Sequence, residues 1–503
     1  MDVLLGIDIG TYSTKATAVT SSGDVLDTAN VAHTVDFPKP GYAEQHPEAV
    51  WWSGLRDAVL RLTEGGTFRP EDVRAIGVSA LSPCVAALDE RDEPLRPAIL
   101  YGIDVRAGRQ IQRLNEELGA SFVLERFGQY LSSQTAGPKI MWIRDEQPEV
   151  YRRAKRFVPA TTYLVHRLTG SWRMDAYIAP SYAPFFRMDR MAWDEEMIAA
   201  YLDEGLEWPS IGWPGDIAGG LLPAAAAALG LPAGVPVVIG SADALAEAVS
   251  AAALAPGDLF MMYGSSMFFI ATTEREYASS DVFWPSPGIR EGTWAVAGGM
   301  STAGSLVRWA MDTFYPPGTA FETFFREAKS SVPGSNGLVT LPYFSGERTP
   351  VADPEARGLI AGLSLKHNRA DIARSVLEGV AYGIRHNIEC FEGRLGPMSL
   401  VGAGGGVTDP FWAQMITDIA QRPQRIMQRT NAAIGDALLA GAGVGLLDDD
   451  AVRRLALRIG RPQRLEPAPE HSALYDAQYE VYKQLYVNTK EQIYTLGRTH
   501  RSD

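Results

Sequence analysis

A chain of 503 residues with 46% apolar and 21% charged positions is long enough for two or three domains with sizeable cores, and its composition is that of an ordinary soluble protein. The 60 acidic and 46 basic residues leave a net charge of −14, evenly mixed, which argues against nucleic acid as the main partner but not against a small anion held by backbone N–H groups. Two widely separated cysteines, Cys84 and Cys390, argue against a disulfide scaffold or a cysteine zinc site and fit a reducing, cytoplasmic compartment. Residues 3–9, 15–20 and 25–31 are expected to form strands joined by short turns, with Ser21-Ser22-Gly23 turning the second hairpin. No signal peptide is read before the first strand. A helix is expected over 47–62 and a strand over 74–79. The Ala-rich stretch 221–254 is interrupted by Pro232, Pro236, Asp243 and Glu247, so it is too broken for a membrane span. The pattern then restarts: VPVVIG is a strand, ALAEAVSAAAL a helix, and LFMMYGSSMFFIATT a strand, a Gly-Ser-Ser turn and a strand. At 296–309 and 401–423, Gly-rich strand ends run into helices, the second from about Pro410. Near the end, Tyr475, Tyr479, Tyr482 and Leu485 fall at helical spacing, an aromatic stripe for packing on a core. Strands mixed with helices in this way give an α/β layer architecture.

LLGIDIGTYSTKATAVT can be aligned with the 259–273 stretch, Gly10-Thr11 falling on Gly264-Ser265. This weak internal repeat has a period of about half the chain and predicts two similar domains, each presenting a hydroxylated turn. Asp8 falls on Met262, so only the first half carries an acid there. In GIDIGTYST the turn's N–H groups can cradle phosphate oxygens, glycine permits close approach, and hydroxyls add donors. Asp8 could hold Mg²⁺ through water. Taken alone, an ordinary hairpin with one capping Asp explains this stretch equally well. Neither turn is a P-loop, because both lead into strands. In GSADALAEAV, Asp243 follows a strand and opens a helix. From position alone the N-cap reading outweighs a carboxylate that accepts a substrate's hydroxyl proton. The glycine triplet of VGAGGGVTDPFW would allow flat contact with a purine or close approach of a phosphate, and Val407 breaks any dinucleotide fingerprint.

As a set, these motifs resemble the FGGY carbohydrate kinases, of the actin/Hsp70/hexokinase-like superfold, nearly end to end. GLIAGLSLKHNRADIARSVLE, 358–378, satisfies the family's second signature through Asp371, Ile372, Ser375, Val376, Leu377 and Glu378. KIMWIRDE, 139–146, fits the second part of the first signature, whose start is broken by Gln134 and Ala136. PYFSGERTPVADPEARG and GYAEQHPEAVWW resemble further family stretches. The resemblance implies two actin-like (ribonuclease H-like) α/β domains flanking an ATP/sugar cleft. Residues 1–246 would carry the sugar and the first phosphate loop, and 247–503 the nucleotide and the second. It implies Gly10, Thr11, Tyr12 and Ser13, with Lys15 beside them, as the first phosphate loop, and Gly264 and Ser265 as the second. It further implies Gly404, Gly405 and Gly406 as the adenosine segment, Asp243 as the transfer base, and Asp8 as the acid near Mg²⁺. On this reading Asp243 is catalytic rather than an N-cap.

The sugar side departs from the family. SALSPC puts Ser82 and Pro83 where xylulokinase-type members have Met-His. YGIDVR has Tyr101 for a Trp and one extra residue before Asp104, and Ala244 replaces the polar residue after the base. Ser82, Pro83, Tyr101, Asp104 and Asp243 are therefore the expected substrate contacts, and the changes alter preference. The expected activity is ATP- and Mg²⁺-dependent phosphorylation of a sugar hydroxyl, with a xylulose- or ribulose-like ketopentose favoured. Another ketose or an erythritol-, xylitol- or glycerol-like polyol is the alternative acceptor. A non-catalytic sugar- or nucleotide-sensing relative and a chaperone-like ATPase are the competing classes. No nucleic acid or membrane partner is expected, and a homodimer stays open.

Overall fold

The expected hairpins form. Val3–Ile9 pairs antiparallel with Ser13–Thr20, which pairs antiparallel with Val25–Ala32. In the computed structural model, which describes residues 1–275, 280 and 282–499, these strands are part of a seven-stranded sheet. Val73–Ala80 lies parallel to Val3–Ile9, Pro236–Val238 lies parallel beyond it, and Ile217–Gly220 closes that edge antiparallel. The first strand is buried along its whole length, because it has a neighbour on either side and helices over both faces. That explains its unbroken apolar run.

The chain forms two compact units. The first takes Met1–Leu254, Thr272–Val296 and Arg429–Gly460; the second takes Ala255–Ala271, Ala297–Gln428 and Arg461–Asp503, each in its described part. In the second, Asp258–Tyr263 and Met267–Thr273 form an antiparallel hairpin. Ser399–Ala403 lies parallel to Asp258–Tyr263, Gln424–Met427 parallel beyond it, and Pro462–Leu465 antiparallel at the edge. The same succession of pairings occurs in both sheets, so the sequence repeat is a repeat of fold.

One face of the first sheet is covered by Ser53–Glu64 and Ala160–Thr169, with Leu55, Val59, Ile76 and Tyr163 in one buried cluster. The other face is covered by Ala432–Gly443, with Leu4, Val19, Ala75, Ala437 and Leu438 packed together. Asn431 starts that helix, its side-chain oxygen accepting from Ile434 N at 2.8 Å. Glycines set how closely it packs. A Cβ on Gly6 would come within 1.7 Å of the Ala433 carbonyl oxygen, and one on Gly77 within 2.1 Å of that of Asp436. A Cβ on Gly435 would stand 1.8 Å from the Ala246 carbonyl oxygen, so Asp243–Ser250 is drawn in equally tightly. In the second unit the expected terminal helix runs Ser472–Thr499 and buries Tyr475, Tyr479 and Tyr482. Among the described residues no helix is long and apolar enough to cross a membrane.

Candidate active site

Strand register builds the first part of the site. Asp8, near the end of its strand, lies opposite Lys15 on one side and Ser79 on the other. Paired residues point to the same face, so Lys15, Asp8 and Ser79 form a polar row across three strands. Ser79 Oγ is 3.3 Å from Asp8 Oδ1 and 2.7 Å from Asp436 Oδ2. A hydroxyl has one proton to donate, and the shorter contact directs it mainly to Asp436. Asp436 is the fully buried one, and burial foremost, with the charges of Asp8 and Asp243, pushes it well above the usual carboxylate range. Burial first, then the charge of Asp243, raises Asp8 to about 8 against the opposing pull of Lys15.

Asp243 is the first residue of the helix Asp243–Ser250 and directly follows the short strand Ser241–Ala242, which runs parallel to Val73–Ala80. Ala242 occupies the N-cap position. The Asp243 carboxylate accepts from the adjacent Ala244 N, at 2.8 Å, and no N-cap side-chain bond is made among the described residues, so the capping reading does not describe it. Its side chain is half-buried, and burial pushes its carboxyl to about 7, with Glu247 one turn on adding to the shift. Glu247 is itself raised by burial and accepts from Thr430 Oγ1 at 3.1 Å. The segment before Asp243 is anchored twice: Ser241 Oγ donates to buried Asp175 at 2.8 Å, and Thr161 Oγ1 donates to the Ser241 carbonyl at 2.9 Å.

The first hydroxylated turn is closed by Gly10 N donating to the Ser13 carbonyl at 3.0 Å. Gln45 Nε2 holds the Thr11 carbonyl at 2.9 Å, and His33 N holds that of Tyr12 at 2.9 Å. In the second unit, Gly264 N donates to the Ser266 carbonyl at 3.0 Å. The Gly264 and Ser265 carbonyls accept from Gly304 N and Ser305 N at the start of the helix Gly304–Phe314. Gly404 has φ +106°, and a Cβ there would stand 2.7 Å from the Tyr263 carbonyl oxygen; one on Gly405 would meet nothing within 4 Å. The second turn and the glycine triplet are thus neighbours at one strand end, and Gly405 offers an open backbone surface. Ser82 and Pro83, expected from the sequence as substrate contacts, are half-buried in the turn after Val73–Ala80. The Tyr101 hydroxyl lies 3.0 Å from Thr11 Oγ1. Asp104 is fully buried, its carboxylate accepting from Ala43 N at 2.7 Å and from the Arg106 guanidinium, which makes it a clamp on its own loop.

The first unit therefore brings together Asp8, Gly10–Ser13, Lys15, Tyr101 and Asp243, and the second brings together Gly264, Ser265 and Gly404–Gly406. Among the described residues no group of three or more His, Cys, Asp or Glu is arranged to hold a metal unaided. The oxygen donors and the excess negative charge around Asp8 nevertheless suit Mg²⁺, which keeps several waters and binds through one or two carboxylates and substrate phosphates. The reading of the sequence missed Ser79, Asp436, Glu247 and Asp175. Asp436 had a signal, being the only charged residue in AAIGDALLAGAG.

Residues 3–250 match the model of the FGGY family of carbohydrate kinases, N-terminal domain, and 259–444 that of its C-terminal domain. The chain is 28% identical to the xylulose kinase of Lactococcus lactis, over 98% of both chains. It is 27% identical to the gluconokinase of Bacillus subtilis, over 94% of this chain and 93% of that one. The crystal structure of xylulose kinase from Rhodospirillum rubrum superposes with a TM-score of 0.88 at 28% identity, covering 98% of this chain and 99% of that one.

Proposed function

Because the chain belongs to the FGGY family of carbohydrate kinases, and so is a sugar kinase, we propose that it transfers the γ-phosphoryl of ATP to a hydroxyl of a ketopentose of the xylulose or ribulose kind. The observation that carries the reading is Asp243: a half-buried carboxylate at a strand's C-terminal edge, free of any capping duty and raised to about 7. It is the base that accepts the hydroxyl proton as the oxygen attacks. The N–H groups and hydroxyls of Gly10–Ser13, with Lys15, hold phosphate oxygens, as do those of Gly264 and Ser265, while Gly404–Gly406 receive the adenosine. Mg²⁺, when bound on the Asp8 side, supplies neutralisation of the phosphate charge. Ser82 and Pro83 line the acceptor side, and Asp104 fixes the loop that carries Tyr101. The ketopentose is favoured by the likeness to xylulose kinases. The likeness to a gluconokinase favours a second reading, a six-carbon sugar acid as acceptor.

An ADP-release screen over pentuloses, hexuloses, gluconate and polyols separates these readings. Turnover confined to gluconate would replace the first by the second. Asp243→Ala should bind nucleotide as the native protein does and lose about 10²–10⁴-fold or more in kcat. Native-like turnover in that variant would remove Asp243 from the mechanism.

A further inference from the structure

The Tyr101 hydroxyl makes one hydrogen bond among the described residues, and it is not to the acceptor side of the site. It lies 3.0 Å from Thr11 Oγ1, in the turn Gly10–Ser13. Both ends of this contact are held. Lys139, itself buried, donates through Nζ to the carbonyls of Leu100 and Tyr101 at 2.6 and 2.9 Å. Gly102 N donates to Gln134 Oε1 at 3.2 Å, and Asp104 N donates to the Tyr101 carbonyl at 2.9 Å. At the other end, Gln45 Nε2 fixes the Thr11 carbonyl while Trp51 Nε1 donates to Gln45 Oε1 at 2.9 Å. Two anchored backbones therefore meet through a pair of hydroxyls.

A pair of hydroxyls has a direction. The phenol is the stronger acid and the better donor, while an alcohol oxygen with two lone pairs is the better acceptor. We propose that Tyr101 is a positioning residue on the phosphoryl-donor side: its hydroxyl donates to Thr11 Oγ1 and so turns the single Thr11 proton outward, toward a phosphate oxygen of the nucleotide. This rests on the reading of Gly10–Ser13 as a phosphate loop. Burial, opposed by the bond to Thr11 and reinforced by Asp243, pushes the Tyr101 phenol to about 12, so it keeps the proton to donate at neutral pH. Phe lacks that donor, and the Trp of the family pattern carries an indole N–H in place of the phenol O–H. The chain thus differs from that pattern in a group that acts on the donor substrate rather than on the sugar.

The test measures the affinity of Tyr101→Phe, Thr11→Val and the double variant for Mg²⁺ with a non-hydrolysable β,γ-imido ATP analogue, without sugar, and then KM for ATP and for the sugar separately. Tyr101→Phe should weaken the analogue by about three- to tenfold and raise KM for ATP alike, the net value of one hydrogen bond. KM for the sugar should stay within about twofold, and the double variant should be no weaker than Thr11→Val alone. Unchanged or tighter analogue binding in Tyr101→Phe would overturn the inference, tighter binding meaning that Thr11 donates to Tyr101. Additive losses in the double variant would overturn it too. A native protein that binds no analogue would instead defeat the phosphate-loop reading.

Discussion

A carboxylate that works as a base must be ionised at the working pH, and Asp243, the base proposed above, stands close to that limit. Burial holds its carboxyl near 7, with Glu247 contributing a like charge. Below that value Asp243 is protonated and cannot accept the sugar's proton, so kcat/KM for the sugar should rise with pH through about 7 and level off above it. Glu247→Gln removes the neighbouring charge and lowers the Asp243 pKa. The acid limb of the profile should then move down, by roughly a few tenths of a unit to one unit, as read from kcat/KM between pH 5 and 9. An unmoved or upward-moving limb would assign it to another group, such as Asp8. At this scale the sequence was half legible. Asp8 stood out because an acid in an apolar strand breaks a local pattern, whereas Asp243 fitted an ordinary N-cap by position and was singled out only by the family resemblance. Ser79 and Asp436 did not stand out, because their meaning is a contact between residues 357 positions apart.

Elements explain that gap. The strands announced themselves through apolar runs and turn residues, and each expected strand of the first hairpins lies within a residue or two of its place. The helix Ala432–Gly443 was not singled out in the sequence, and which surface it covers depends on glycines that carry no local signal. Gly6 and Gly77 are ordinary strand residues in sequence, yet the helix backbone lies where their Cβ atoms would be. Gly77→Ala should therefore lower stability by about 1–3 kcal/mol or more, seen as a lower Tm. Gly108→Ala, whose Cβ would meet nothing within 4 Å, should be neutral or slightly stabilising. Equal Tm values for the two variants would mean that the helix is not seated on the sheet as described.

At the scale of the molecule, the likeness of two domains followed from the sequence alignment of the two turns, while the strand order and the assembly of each unit did not. The first unit is completed by Arg429–Gly460, far from the rest of it in the chain. A chain from which only 429–460 is removed, with a flexible linker in its place, would leave Leu4, Val19 and Ala75 without their cover. It should lose near-UV circular dichroism from the first unit and bind the hydrophobic dye ANS. Retention of a sharp, native-like thermal transition in both units would show that the segment is dispensable.

The same feature gives the protein a timetable. Synthesis runs at about 5–20 residues per second and domains usually close in the order they emerge. Here the sheet that emerges first stays open on one face until its last helix leaves the ribosome, roughly ten seconds or more after Leu254. The unit begun first is thus finished only after most of the second has been made, and through that interval its sheet face lacks its native cover, the longer the slower the translation.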